Sequence, residues 1–141
     1  MNNSLFNKSI RSQTGIIFKY IYFAVLLFII DLIWLSRPFH KELYTKIQKA
    51  PLIFDKLAGI LFYLLAPLGY FIFVKPLSKN KMDAFKYGAI IGFLMYMSYD
   101  LTSKAIYTDY TWNYAIKDIV WGSLLVGAVS YIMFTENYSQ K

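Results

Sequence analysis

Residues 99–122, YDLTSKAIYTDYTWNYAIKDIVWG, decide how this chain is read. The sequence around them is apolar enough for a bilayer, yet within them Asp100 and Asp118 sit inside helical apolar patterns on either side of a short polar reversal. Tyr99, Thr102 and Ser103 add hydroxyls, and Lys104 follows Asp100 by one helical turn. Carboxylates are costly in hydrocarbon, roughly 2.5 to 3.5 kcal/mol each at a helix centre and less toward the interface, unless they face protein or water. The stretch therefore implies neighbouring helices that enclose it.

Outward from this hairpin, the apolar runs match a membrane in length. Residues 84–106 and 113–134 carry its two arms, and residues 16–35 and 52–74 precede them. Each run is long enough to cross roughly 30 Å of hydrocarbon at about 1.5 Å per residue. The fold class that follows is all-α, an integral membrane four-helix bundle over residues 16–134, with a polar N-terminal tail at 1–15 and a polar C-terminal tail at 135–141. The first run ends in Asp31, Trp34 and Ser-Arg-Pro, without the short apolar core and small-residue cleavage site of a signal peptide, so it is expected to be retained. Arg37-Pro38 ends it, because the residue before proline is pushed out of helical geometry.

Composition points the same way. Of 141 residues, 57% are apolar and 20% aromatic, more than a soluble domain of this size places inside, so the excess faces lipid. The net charge of +7 does not indicate a nucleic-acid partner, because the Lys and Arg residues lie mostly between or at the ends of apolar runs, where they anchor and orient spans. Membrane lipids are the expected partners. The absence of cysteine excludes disulfides and thiolate chemistry.

Between the first two spans, Phe39, Leu43 and Ile47 recur every four residues among Lys41, Lys46 and Lys49, which fits a short amphipathic helix on the membrane surface or a solvated basic loop. His40, the lone histidine, reads as a surface residue there. The tails and the second loop hold Lys8, Arg11, Lys75, Lys79, Lys81 and Lys141 against four basic residues in the first loop, which places both termini in the cytoplasm. Including residues just inside the span ends narrows that margin to eight against seven.

With four spans, the ends of the first and third helices share a leaflet with the starts of the second and fourth. Asp31, Asp55, Asp100 and Asp118 all lie toward those ends, so four carboxylates converge on one side of the bundle. In the third span Gly88, Gly92, Tyr96, Asp100 and Ser103 follow three- and four-residue steps along one face, and in the fourth Tyr114, Asp118, Trp121 and Gly122 do the same. The glycines Gly88, Gly92 and Gly122 read as close helix packing. Tyr63 is deep in the second span, where its hydroxyl needs a partner, and Pro67 marks a local bend. Asp31-Leu-Ile-Trp34-Leu-Ser36 echoes Asp118-Ile-Val-Trp121-Gly-Ser123, but the two helices run in opposite directions, so the repeated pattern does not imply a repeated geometry.

The combination of DxxW at Asp31 and Trp34, YDLT at Tyr99 to Thr102 and DxxWG at Asp118, Trp121 and Gly122 resembles the predicted bacterial inner-membrane proteins grouped as domain-of-unknown-function family 2177. The resemblance covers about residues 20–131, with Ser103 and Asn113 departing from the usual pattern. It implies four spans and no established activity.

Three functions fit the carboxylates. Near a water-accessible leaflet they handle a cation, proton or small solute, a path that through so few helices requires a homo-oligomer. As a pair, Asp100 and Asp118 serve a membrane-embedded enzyme or lipid-binding protein, with Thr102, Ser103 and the tyrosines orienting a headgroup. Alternatively, the acids pair with Lys104, Lys117 and Tyr and Trp donors to fix the bundle as a structural or assembly protein. No phosphate loop, nucleophile motif or metal-ligand spacing appears, so no cofactor or metal is expected and an enzyme is the less favoured reading.

Overall fold

Local signals set the helix ends. The computed structural model describes residues 3–51 and 53–135, with side chains from residue 14 onward. The side chains of Lys8 and Arg11, the expected start of the second span at Leu52, and Lys141 with the rest of the chain after residue 135 lie outside the described residues.

Helix α1 runs Asn3–Leu35, so residues 3–15, expected as a polar tail, continue the helix of the first apolar run. No proline interrupts them, and a helix already nucleated in the apolar run extends at little cost per residue. Helix α2, Pro38–Gln48, begins with proline at its first turn after an extended Arg37 and closes on Lys49 in the left-handed region. Helix α3, Lys56–Gly69, starts where the Asp55 side chain accepts the backbone N–H groups of Leu57 and Ala58 at 2.9 and 3.0 Å. Pro67 removes one N–H from its ladder, and a wide π turn follows at Tyr70–Val74 before the short α4, Lys75–Leu77. Helix α5, Lys81–Ile106, is capped by Asn80, and α6, Trp112–Met133, by Thr111. Among the described residues there is no strand.

Three rods, Thr14–Leu35, Lys56–Leu77 and Trp112–Met133, are long and apolar enough to cross a membrane. The fourth rod, α5, has 26 residues, a length of about 39 Å, but carries Lys81, Asp83, Lys86, Asp100 and Lys104. It lies antiparallel along α6 at very close range. Gly88 faces Ser130 and the Val126 carbonyl, Gly92 faces the Gly122 carbonyl, and Gly122 faces the Tyr96 ring. In lipid no hydrophobic force draws helices together, so backbone approach of this kind and interhelical hydrogen bonds hold a bundle.

The four rods meet in one core. Phe23 and Leu27 of α1 pack with Tyr63, Ala66 and Tyr70 and with Leu125, Val126 and Val129 of α6. The Tyr20 hydroxyl donates to the Leu64 carbonyl, tying α1 to α3. Phe18, Ile33, Leu57 and Ile116 point outward and are exposed, as a lipid-facing shell requires.

Close packing at Gly92 has a measurable consequence. A Cβ there overlaps backbone at Gly122 and the Val126 side chain, neither of which can swing away, so Gly92→Leu should cost about 1–3 kcal/mol or prevent folding in detergent. Gly15, with nothing within 4 Å, is the control: Gly15→Ala should leave thermal stability unchanged or raise it by up to about 1 kcal/mol. Equal melting curves for Gly92→Leu and the native protein would contradict the packing described.

Candidate functional site

Asp31 and Trp34 share one face of α1, and Asp118 and Trp121 share one face of α6. Because the helices are antiparallel, the order acid-then-indole is reversed in depth, which sets each indole level with the other helix's carboxylate. Trp34 Nε1 donates to Asp118 Oδ1 at 2.5 Å, and Trp121 Nε1 donates to Asp31 Oδ1 at 2.7 Å. Between these bonds the two indoles stack, centroids 5.0 Å apart and planes 10° from parallel. The opposite directions of the helices, which keep the repeated DxxW pattern from being a repeated geometry, are thus what joins the two segments in a local two-fold exchange.

Asp31 takes two more donors. Tyr63 of α3 and Tyr96 of α5 both donate to its Oδ2, at 2.9 and 3.2 Å, so all four rods contribute to one carboxylate that is 2% exposed. Its acceptor sites are met by N–H and O–H groups rather than by a lysine. Asp118 differs: Trp34 occupies Oδ1, while Oδ2 accepts no hydrogen bond from the described residues, and the residue is 6% exposed. Asp31 and Asp118 line a common cavity of about 230 Å³ together with Tyr44, Tyr63, Tyr96 and Tyr99. Phe54, Gly59 and Phe62 form its side toward the lipid-facing surface of α3.

The third buried acid, Asp100, accepts from Tyr110 at 2.5 Å through Oδ1, and its Oδ2 is buried without a partner. Tyr110 comes from the α5–α6 turn, where burial and the bond to Asp100 raise its pKa.

Helix α2 roofs this end of the bundle. Its inward face is centred on His40, with Leu43, Tyr44 and Ile47 packed on Tyr110, Tyr114 and Ala115, so the amphipathic face is turned relative to the expected Phe39 stripe, and Phe39 is 37% exposed. His40 Nδ1 and the Tyr114 hydroxyl lie 2.6 Å apart, and the Tyr44 and Tyr99 hydroxyls 2.7 Å apart. Lys46 pairs with Asp109 at 2.9 Å across the rim. His40 is buried beside the Trp34 and Tyr114 rings, and its Nε2 has no partner. Burial lowers its pKa to about 4, and burial likewise raises that of Tyr44.

Of the residues expected at the site, the fold brings together Asp31, Trp34, Tyr99, Asp100, Asp118 and Trp121, with Ser103 buried on the same α5 face as Asp100. Asp55 is not among them: it is an exposed helix cap, because the second rod begins at Lys56 and its first turn needs an acceptor. Thr102 is exposed and bonds back to the Ser98 carbonyl, and among the described residues neither Lys104 nor Lys117 forms an ion pair with an acid. His40, expected from the sequence as a surface residue, is buried, because α2 docks its His40 face on Tyr114, and Tyr44, Tyr96 and Tyr110 join the site as well. The spacing of His40 and Tyr44, one helical turn apart, is the signal that exposes the true inner face of α2.

Apolar rods with outward-facing aliphatic side chains and an enclosed polar cluster define an integral membrane protein. The family model described as a predicted membrane protein, DUF2177, matches residues 16–135, and the chain belongs to that family. No curated protein and no solved structure matches the chain significantly.

Two outcomes follow. Asp31→Asn puts an amide N–H₂ against either the Trp121 N–H or the Tyr63 and Tyr96 hydroxyls and should cost about 1.5–3 kcal/mol in detergent unfolding, whereas Asp118→Asn keeps the Trp34 bond and should cost no more than about 1 kcal/mol. A reversed order would contradict the assignment of donors. For His40 the docked ring has a pKa near 4 and the free ring near 6.5, so docking of α2 is fully favourable above about 6.5 and weakens as pH falls toward 4. Hydrogen exchange of α2 amides, corrected for intrinsic rates, should show protection falling over that window in the native protein and not in His40→Gln. Constant protection across it would remove the effect.

Proposed function

We propose that this protein binds a small cationic solute in the cavity between its helices, with Asp118 as the receiving carboxylate. The observation that carries the reading is the unpaired Oδ2 of Asp118: a carboxylate oxygen on a nearly buried side chain, facing a cavity already lined by a second acid and several tyrosines. Unlike Asp100 Oδ2, this oxygen is not sealed inside the protein, so a cation carrying N–H groups can reach it and satisfy both its charge and its lone pairs. Aromatic faces around it add cation–π attraction.

This reading goes with a four-span arrangement. Since α5 lies along α6 from Gly88 to Tyr96, a membrane crossed by α6 is crossed by α5 as well, its acids turned inward. Both termini then share one side, and the distribution of basic residues favours the cytoplasmic face of a bacterial inner membrane. The polar cluster opens on the opposite face.

Asp31 supports a second, structural role within the same cluster. With three donors from three other helices on its roughly four lone-pair sites, Asp31 is largely committed to tying the four rods together.

The tryptophans provide the test. Trp34 touches Asp118 directly and Trp121 stacks on Trp34, while Trp112 lies exposed at the start of α6. In a Trp112→Phe background, ethylammonium should change the intrinsic fluorescence saturably in detergent-solubilised protein, and Asp118→Asn should abolish that change. Sodium at equal ionic strength serves as the blank. A linear response, or one shared by Asp118→Asn, would overturn the proposal.

A further inference from the structure

The cavity does not end at its aromatic lining. Phe54, Gly59 and Tyr63, which bound it on one side, also line a second hollow of about 430 Å³ between α1 and α3. That hollow is apolar, walled by Val25 and Phe28 of α1 and Ile60 and Leu64 of α3. Its one charged lining residue is Lys56, at the first turn of α3. Gly59 carries no side chain and the Phe54 ring lies over it at the junction, while Tyr63, whose hydroxyl is held by Asp31, lines both spaces.

The depths of these groups are ordered. Lys56 begins the second rod and so sits nearest the membrane surface, and Leu64 lies two turns further along it. The groove therefore runs inward from a cation at headgroup level, with the acid-lined cavity opening beside it. A basic group, a carboxylate with one oxygen free of protein donors and an apolar channel match an amphiphile bearing a phosphate, an N–H cation and an acyl chain.

We propose that the solute of the cavity is the headgroup of an aminophospholipid with a primary ammonium, its nitrogen at Asp118, its phosphate at Lys56 and one acyl chain in the α1–α3 groove. The assignment rests on the binding role of Asp118 given above and adds to it the identity of the ligand. Selection against other lipids follows from donors and charge. The acceptors at the cavity, Asp118 Oδ2 and phenolic oxygens, require N–H groups, which a trimethylammonium lacks. A glycerol headgroup brings no positive charge to the carboxylates. Entry is lateral, from the leaflet itself, since the groove faces lipid along its whole length, where Val25 and Ile60 are exposed.

The test uses the full chain in nanodiscs of equimolar dioleoyl phosphatidylethanolamine, phosphatidylcholine and phosphatidylglycerol, followed by native mass spectrometry of retained lipid. Native protein should retain the ethanolamine lipid over the choline lipid by about tenfold, the ratio that one charge-assisted hydrogen bond supplies. Asp118→Asn should bring that ratio to near one. Val25→Phe with Ile60→Phe fills the groove from both walls and should abolish ethanolamine-lipid retention while leaving the ethylammonium fluorescence response intact. A native ratio near one, preferential retention of the glycerol lipid, or undiminished retention in the groove variant would each overturn the lipid assignment. If ethylammonium still responds in that case, the cavity reading stands and only the ligand is wrong; if it does not, both fall.

Discussion

The exchange of hydrogen bonds between two indoles and two carboxylates is the constraint on which the rest of this bundle depends. Trp34 to Asp118 and Trp121 to Asp31 fix α1 against α6 in one register, since a slip of one residue in either direction breaks both bonds and unstacks the rings. In a solvent without hydrogen-bonding capacity, a polar group has no alternative partner outside the protein. The bonds are consequently worth keeping even though each is made by neutral donors. Asp31 extends the constraint to the other two rods through Tyr63 and Tyr96.

This arrangement divides labour between chemically identical side chains. Asp31 and Asp118 occupy matching positions in matching motifs, yet Asp31 accepts from three donors and Asp118 from one. The asymmetry comes from the neighbours, because α3 and α5 approach the α1 side of the exchange with tyrosines and leave the α6 side open to a cavity. A third acid, Asp100, is tied to the turn that carries Tyr110 and so fixes the mouth of the hairpin. Position in the sequence motif alone does not distinguish these roles.

Much of the architecture was legible from residue order. Run lengths gave the apolar rods, the three- and four-residue steps of Gly88, Gly92, Tyr96 and Asp100 gave the inner face of α5, and Pro38 and Pro67 marked a boundary and a distortion. The need of Tyr63 for a partner was readable, though which partner was not. Asp55 was misplaced because a carboxylate near the start of an apolar run looks the same whether it lies within the helix or caps it. The inner face of α2 was legible in part: Leu43 and Ile47 of the expected stripe pack inward, but periodicity weighs hydrophobicity, and the docked face also uses His40 Nδ1 and the Tyr44 hydroxyl, whose partners Tyr114 and Tyr99 lie far away in sequence. The indole exchange was hidden for a related reason. It requires knowing that antiparallel helices bring Trp34 level with Asp118, a matter of relative height and not of spacing within either segment.

The reciprocal pairing also imposes an order in time. The donor that Asp31 requires from Trp121 and the acceptor that Trp34 requires from Asp118 are separated from them by 90 and 84 residues of chain. During synthesis the first apolar segment emerges with its acid and indole unmatched, and only the last rod completes them. Until then Asp31 and Trp34 lack these two partners, and the last rod supplies both, so the contact that fixes the register of the bundle is also the last that chain order allows.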